Sequence, residues 1–198
     1  MIAIIDYGLG NLRSVAKALE SAGAKVKVTS SPEEIIAAKA VVLPGVGAFY
    51  AGMENLRNLN LIPAIQESVK QKKPFLGICL GLQLLFGESE EHGFNKGLGL
   101  IEGKVKKFTG KVKIPHMGWN QVQSKAKIFD GVTDNSYFYF VHSYYVEPKD
   151  KNIIIGKTNY SIEFASTVSQ DNIFGVQFHP EKSSQAGIKV LRNFISLC

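Results

Sequence analysis

Phe75-Leu76-Gly77-Ile78-Cys79-Leu80-Gly81-Leu82-Gln83 is the stretch that decides the fold. Four residues from Phe75 to Ile78 read as a buried strand. A helical pattern starts near Leu80 and can run to Phe86, so Cys79 falls on the turn between them. Glycines two before and two after it remove the side chains that would clash at so sharp a bend. The arrangement is a nucleophile elbow with Cys in place of Ser, and the positive end of the following helix favours the thiolate. Gln83 lies four residues beyond Cys79 on the same helix face and can turn its carboxamide toward the thiol. An inert cysteine packed between two glycines, followed by an ordinary polar helix residue, would show the same spacing.

Outward from the elbow, the first 90 residues alternate between strand and helix. Ile2-Ala3-Ile4-Ile5 is a strand, Gly8-Leu9-Gly10-Asn11 a turn, and Leu12, Val15, Ala16 and Leu19 stripe a helix that Gly23 ends. Val26 and Val28 mark a second strand. Ser31-Pro32-Glu33-Glu34 opens a second helix, Val41-Val42-Leu43 is a third strand, and Ile62, Ile65 and Val69 stripe a further helix. Such alternation implies a mostly parallel sheet with helices on both faces. The second half is β-rich. Strands are expected at 105–108, 119–122, 137–141, 153–157, 164–168 and 173–178. A closing helix carries Gly187, Val190, Leu191, Phe194 and Ile195 on one face. No repeat or linker interrupts the 198 residues, so one domain spanning 1–198 is expected.

Composition narrows the function. The chain is 45% hydrophobic and 20% charged, outside the range of disordered chains. Its net charge of +6 comes from 20 Lys and only Arg13, Arg57 and Arg192. Nucleic-acid readers lean on Arg forks, so no nucleic-acid partner is expected, and Lys104, Lys106, Lys107, Lys111 and Lys113 read as a solvated hairpin face. Two cysteines, Cys79 and Cys198, allow no disulfide framework; Cys198 ends a fraying helix and is given no role. The start has no basic region before its apolar run, and no run reaches the roughly 18 residues of a membrane span. A cytoplasmic protein with no membrane partner is expected. Gly8-Leu9-Gly10 follows a strand as a dinucleotide loop would. Arg13 stands where the third glycine belongs, though, and no acid ends the second strand, so no nicotinamide cofactor is expected. No metal motif is present, and the expected cofactor set is empty.

Two further segments carry chemistry. In Phe178-His179-Pro180-Glu181, extended backbone puts His179 and Glu181 on one side, where the carboxylate can orient and charge the imidazole. Pro180 keeps His179 out of the helical region. With Cys79 these supply nucleophile, base and orienter. His92, His116 and His142 lack that partner pattern. Leu43-Pro44-Gly45-Val46-Gly47-Ala48 follows the third strand on the edge where parallel sheets carry their functional loops, and its peptides can serve an oxyanion hole or simply turn the chain.

Together these residues resemble the class I, or triad, glutamine amidotransferases, which have a flavodoxin-like α/β fold. The finer resemblance is to the glutaminase subunits of imidazole glycerol phosphate synthases. It rests on Asp6-Tyr7-Gly8-Leu9-Gly10-Asn11-Leu12, Leu43 to Phe49, His116-Met117-Gly118-Trp119-Asn120, Phe140-Val141-His142-Ser143-Tyr144 and His179 to Ser183. The resemblance implies that Cys79 attacks the side-chain amide of glutamine, that His179 shuttles the proton, and that Glu181 positions His179. It implies an oxyanion hole of peptides at Gly45, Val46 and Leu80, and glutamine binding by Gly47, Gln83, His142 and Ser143. It also implies a cyclase partner with a (β/α)₈ barrel, contacted by Asn11, Trp119, Tyr139 and Lys182, that receives the ammonia. Trp119 could equally be a core residue. Two other readings stay open: the glutaminase subunit of a synthase of the pyridoxal phosphate or anthranilate type, or a stand-alone thiol hydrolase. A non-catalytic binding domain is disfavoured by the complete Cys, His and Glu set.

Overall fold

The computed structural model describes residues 1–110 and 112–198. In the first half β1 (Ile2–Ile5), α1 (Leu12–Ser21), β2 (Val26–Thr29), α2 (Pro32–Ala37), β3 (Ala40–Leu43), α3 (Phe49–Asn58), α4 (Ile62–Lys70), β4 (Phe75–Ile78) and α5 (Leu80–Leu84) alternate. Then come β5 (Phe86–Ser89), β6 (Asn95–Lys96), β7 (Ile101–Lys107), β8 (His116–Val122), β9 (Ser136–His142), β10 (Tyr144–Pro148), β11 (Ile154–Tyr160), β12 (Ile162–Gln170) and β13 (Ile173–Val176), and α6 (Ser184–Ile195) closes the chain.

One sheet runs β2-β1-β3-β4-β13-β12-β10-β7-β5-β6, with β11 on the side of β12; β8 and β9 form a separate ribbon. From β2 to β13 every pairing is parallel. From β13 through β12 and β10 to β7 the pairing is antiparallel. The expected α/β fold is therefore present, with its β-rich second half continuing the parallel sheet. Strands β1, β3 and β4 are buried along their whole length. Their period of two sends alternate residues into opposite layers. Ala3, Ile5, Val41, Leu43 and Phe75 pack with Ile35, Leu56 and Ile65 of α2, α3 and α4. Ile2, Ile4, Val42, Leu76 and Ile78 pack with Val15 and Leu19 of α1 and with Val190, Leu191 and Phe194 of α6. Asn11 caps α1 through Ser14 N–H at 3.4 Å, and Ser31 caps α2 through Glu34 N–H at 3.2 Å.

Several expectations need correction. The helix after the elbow ends at Leu84 rather than Phe86, and sheet-side donors satisfy the carbonyls that follow. Leu98 N–H bonds Leu84 O at 2.9 Å, Leu100 N–H bonds Leu85 O at 2.9 Å, and Gly99 N–H bonds Phe86 O at 3.1 Å. Phe86 instead starts β5. The strand expected to reach Phe178 stops at Val176, and Ile153 belongs to a 3₁₀ turn. Ile195 is only half-buried on the closing helix. The lysines after residue 103 do not line a hairpin. Lys104 and Lys106 sit on β7 inside the large sheet, where they pair with Glu90 at 3.7 Å and Glu147 at 3.6 Å. Lys111 lies outside the described residues.

Neighbouring β3, β4 and β13 all point the same way, so their carboxyl ends lie side by side. Those ends carry the 44–48 loop, Cys79 and the 177–181 segment.

Candidate active site

Cys79 has φ +53° and ψ −107°, a conformation that costs a non-glycine residue of order 1–3 kcal/mol and persists only where its surroundings enforce it. The surroundings are tight. A Cβ on Gly81 would collide with the Leu43 carbonyl of the neighbouring strand, and one on Gly77 would lie 2.8 Å from Gly81 O and from Leu82 N. The two glycines let the elbow fold onto β3 and onto itself, as the spacing predicts. Cys79 N–H remains in the sheet through Val176 O at 2.8 Å, and Gln83 N–H bonds Cys79 O at 3.2 Å, which starts the helix.

His179 has φ −97° and ψ 96°, extended as its position before Pro180 requires. Its Nδ1 lies 2.8 Å from Glu181 Oε1, with side chains only 2% and 1% exposed. Nε2 is left buried and without a hydrogen-bond partner, on the side where the imidazole interacts with Cys79. Burial alone would lower the imidazole pKa. The interactions with Cys79 and Glu181 outweigh it and raise the pKa from 6.5 to about 10. The imidazole is thus held as a cation between sulfur and carboxylate, a state suited to giving a proton to a leaving group.

A cavity of about 230 Å³ opens above the sulfur. Val46, Gly47, Cys79, Leu80, Gln83, His142 and Ser143 line it, so seven of the residues singled out in the sequence meet on one wall; Glu91, Pro115, Val141 and Tyr144 complete it. The size suits a free amino acid rather than a peptide or nucleotide. A larger open groove bounded by Gly87, Phe94 and Lys151 holds no nucleophile. Gly45 sits behind the wall, its carbonyl accepting from Leu80 N–H at 3.4 Å. Two of the candidate oxyanion peptides are therefore bonded to each other.

Three polar side chains of the site, and one pairing of histidines, escape the sequence reading. The Tyr7 hydroxyl packs on Gly45, buried and unpartnered. Burial, and then the charge on Cys79, push its pKa upward. Glu91 accepts from Phe49 N–H at 2.6 Å, capping α3, and its carboxylate faces the cavity, complementary to an ammonium group. Gln177 is fully buried against the sulfur, Nε2 to Sγ 3.6 Å. His116 and His142 form a buried pair, Nδ1 to Nε2 2.9 Å. Burial drives both imidazoles neutral, with pKa values of about 4 and about 3. For Gln177 the signal was available, since it stands two residues before His179 in extended chain; for the others nothing local marks the contact.

The remaining candidates lie outside the cavity. Trp119, 51% exposed, is no core residue; its ring stands edge-on to Tyr139 at 6.1 Å, and Lys182 Nζ lies 5.7 Å over the Tyr139 ring. Asn11 is exposed at its cap. The backbone ties this patch to the imidazole: His179 N–H bonds Tyr139 O at 2.9 Å, and Ser183 Oγ bridges Tyr139 N–H at 3.0 Å and His179 O at 2.6 Å. Among the described residues no helix is long and apolar enough to cross a membrane.

The family model described as glutamine amidotransferase class-I matches residues 3–197. Imidazole glycerol phosphate synthase subunit HisH of Moorella thermoacetica is 53% identical over 195 residues, covering 98% of this chain and 93% of that protein. The subunit of the same name from Methanocaldococcus jannaschii is 52% identical over 199 residues, covering all of both. A crystal structure of a glutamine amidotransferase superposes with a TM-score of 0.78 at 17% identity, covering 100% of this chain and 98% of that one. PurLQS from Thermotoga maritima superposes with 0.74 at 16%, covering 98% and 97%. At such identities the two structures establish a shared fold. An elbow cysteine, a charged His–Glu pair and an amino-acid-sized cavity are thus found on a chain that belongs to the class I glutamine amidotransferases.

Proposed function

We propose that this chain, acting as one domain over 1–198, hydrolyses L-glutamine to glutamate and ammonia and serves as the glutaminase subunit of an imidazole glycerol phosphate synthase in histidine biosynthesis. The observation that carries the reading is a small cavity that opens on Cys79, whose sulfur interacts with the buried His179–Glu181 pair, on a chain about half identical to HisH subunits along its full length. The Cys79 sulfur attacks the side-chain carbonyl carbon of glutamine, and the carbonyl electrons move to oxygen. As that intermediate collapses, the C–N bond breaks and His179 gives its proton to the departing ammonia. His179 then takes a proton from water, which attacks the thioester and releases glutamate, while Glu181 holds the ring in place. Gly47, Gln83, His142 and Ser143 form the glutamine site. With both amide hydrogens of Gln83 committed to Tyr144 O and Gln177, its carbonyl oxygen is what it offers the substrate.

Leu80 N–H is spent on Gly45 O, so the oxyanion hole awaits rotation of the Gly45–Val46 peptide, which frees Leu80 and turns Val46 N–H inward. One such donor is worth about 2.7–4 kcal/mol in acyl transfer. Glutamine cleavage by the free chain is accordingly slow and is raised by the partner. That partner is a cytoplasmic cyclase of (β/α)₈ form, docked on Asn11, Trp119, Tyr139 and Lys182. It uses the ammonia to make imidazole glycerol phosphate and the aminoimidazole-carboxamide ribonucleotide. The test is a glutaminase assay with and without the cyclase and its nucleotide. Glutamine turnover rises only in the complex, and Cys79→Ala abolishes glutamine-dependent synthesis while sparing synthesis from ammonium salt. Loss of both activities in that variant would make Cys79 structural.

A further inference from the structure

We propose that Gln177 is a further catalytic residue of this site: its side-chain amide donates a hydrogen bond to the nucleophilic sulfur and holds it aimed at the substrate. The inference rests on Cys79 being the nucleophile.

Gln177 follows β13 and is fully buried. A glutamine without exposure needs partners for both ends of its amide, and it has them. One end lies 3.6 Å from Cys79 Sγ and the other 3.2 Å from Gln83 Nε2. Which end is which follows from the surrounding acceptors. A backbone carbonyl can only accept, so the group of Gln83 that lies 3.0 Å from Tyr144 O is its NH₂. The second hydrogen of that NH₂ points at Gln177, which must answer with its carbonyl oxygen. The NH₂ of Gln177 is then fixed on the sulfur.

Tyr144 O is also approached by His142 Nδ1, at 2.8 Å, and the same logic runs outward. His142 Nδ1 must carry the proton, its Nε2 accepts from His116 Nδ1, and His116 Nε2 accepts from Asn120 Nδ2 at 3.2 Å. Every proton from Asn120 to Cys79 is therefore assigned, and no member can flip without orphaning a buried group. Sγ also lies 3.9 Å from Val141 O, which suits a neutral thiol and repels a thiolate. Gln177 therefore supplies a neutral donor to the sulfur beside the charged imidazole. When the sulfur attacks, the C–S bond forms and no proton leaves Gln177. When the thioester is hydrolysed, the departing thiolate returns to the same donor.

The test uses the full chain with Cys198→Ser, so that Cys79 is the one thiol, and compares Gln177→Met with the parent. Methionine keeps the volume and removes the donor. Gln177→Glu is the second variant: it keeps the acceptor for Gln83 and turns an oxygen toward the sulfur. Alkylation of Cys79 by iodoacetamide at pH 7 is expected to slow at least about tenfold, the size of a lost bond to a charged acceptor. In the complex with the cyclase, kcat for glutamine falls by a similar factor, KM stays within about twofold, and ammonium-dependent synthesis is unchanged. A folded variant of either kind that alkylates within twofold of the parent overturns the proposal. Alkylation uses no glutamine. A parent that cleaves no glutamine, yet shows the Gln177 effect on alkylation, would sink the glutaminase reading and leave this bond standing.

Discussion

At the scale of single residues, the elbow is the most tightly specified point in the chain. Its two glycines are needed for opposite reasons: Gly77 faces the helix that follows it, and Gly81 faces the strand next door. Because the Leu43 carbonyl belongs to the backbone of β3, no rotamer change can relieve a side chain at position 81. Gly81→Ala is expected to destabilise the fold by at least about 3 kcal/mol in urea denaturation, the range of severe overpacking. A loss below 1 kcal/mol would mean that β3 and the elbow part easily. The pattern Gly-x-Cys-x-Gly made this site readable without coordinates. Glu181 and His179 were readable for the same kind of reason, since two residues apart in extended chain is a local geometry. Glu91, Tyr7 and the pairing of His116 with His142 were not, because each contact joins segments that only the fold brings together.

At the scale of elements, β1, α1, α2, β3 and β4 follow directly from periodicity and capping, each carrying a local signal a few residues long. No local signal marks α3, because Ala48 gives it no side-chain cap; its cap is Glu91, 42 residues away. β10 has no boundary of its own in the sequence, because Tyr144, Tyr145 and Val146 continue from the ribbon strand β9 with a single residue between them. The β8–β9 ribbon presents Met117, Trp119 and Tyr137 to solvent at 62%, 51% and 57% exposure, an apolar outer face on an element whose inner face is packed. Exposed aromatics of this kind anchor interfaces. If the proposed cyclase docks here, Trp119→Ala is expected to weaken its binding about 10- to 100-fold in calorimetric titration. The melting temperature of the free chain should change by no more than a degree or two. A large drop in that temperature with unchanged affinity would return Trp119 to a packing role.

At the scale of the molecule, the buried histidines set the pH range of stability. An unfolded chain binds a proton to each histidine near pH 6.5. His142 and His116 resist protonation in the fold down to about 3 and about 4. Between those limits the unfolded state holds more protons, so stability present above pH 6.5 is lost as pH falls, at up to about 1.4 kcal/mol per pH unit for each. His179 has the opposite sign. Its raised pKa gives stability that is complete below pH 6.5 and is lost as pH rises through about 10. Denaturation midpoints should therefore peak near neutrality and fall on both sides. An unchanged midpoint between pH 7 and pH 5 would show that the His116–His142 pair takes up a proton without opening.

One backbone bond and the Ser183 hydroxyl bridge couple Tyr139 of the outer ribbon to the residue that carries the imidazole. A body seated on Trp119 and Tyr139 grips the other end of a short lever whose working tip is the ring beside the sulfur. Slack introduced anywhere along that lever, well away from the cavity, would register as slow turnover with the pocket itself intact.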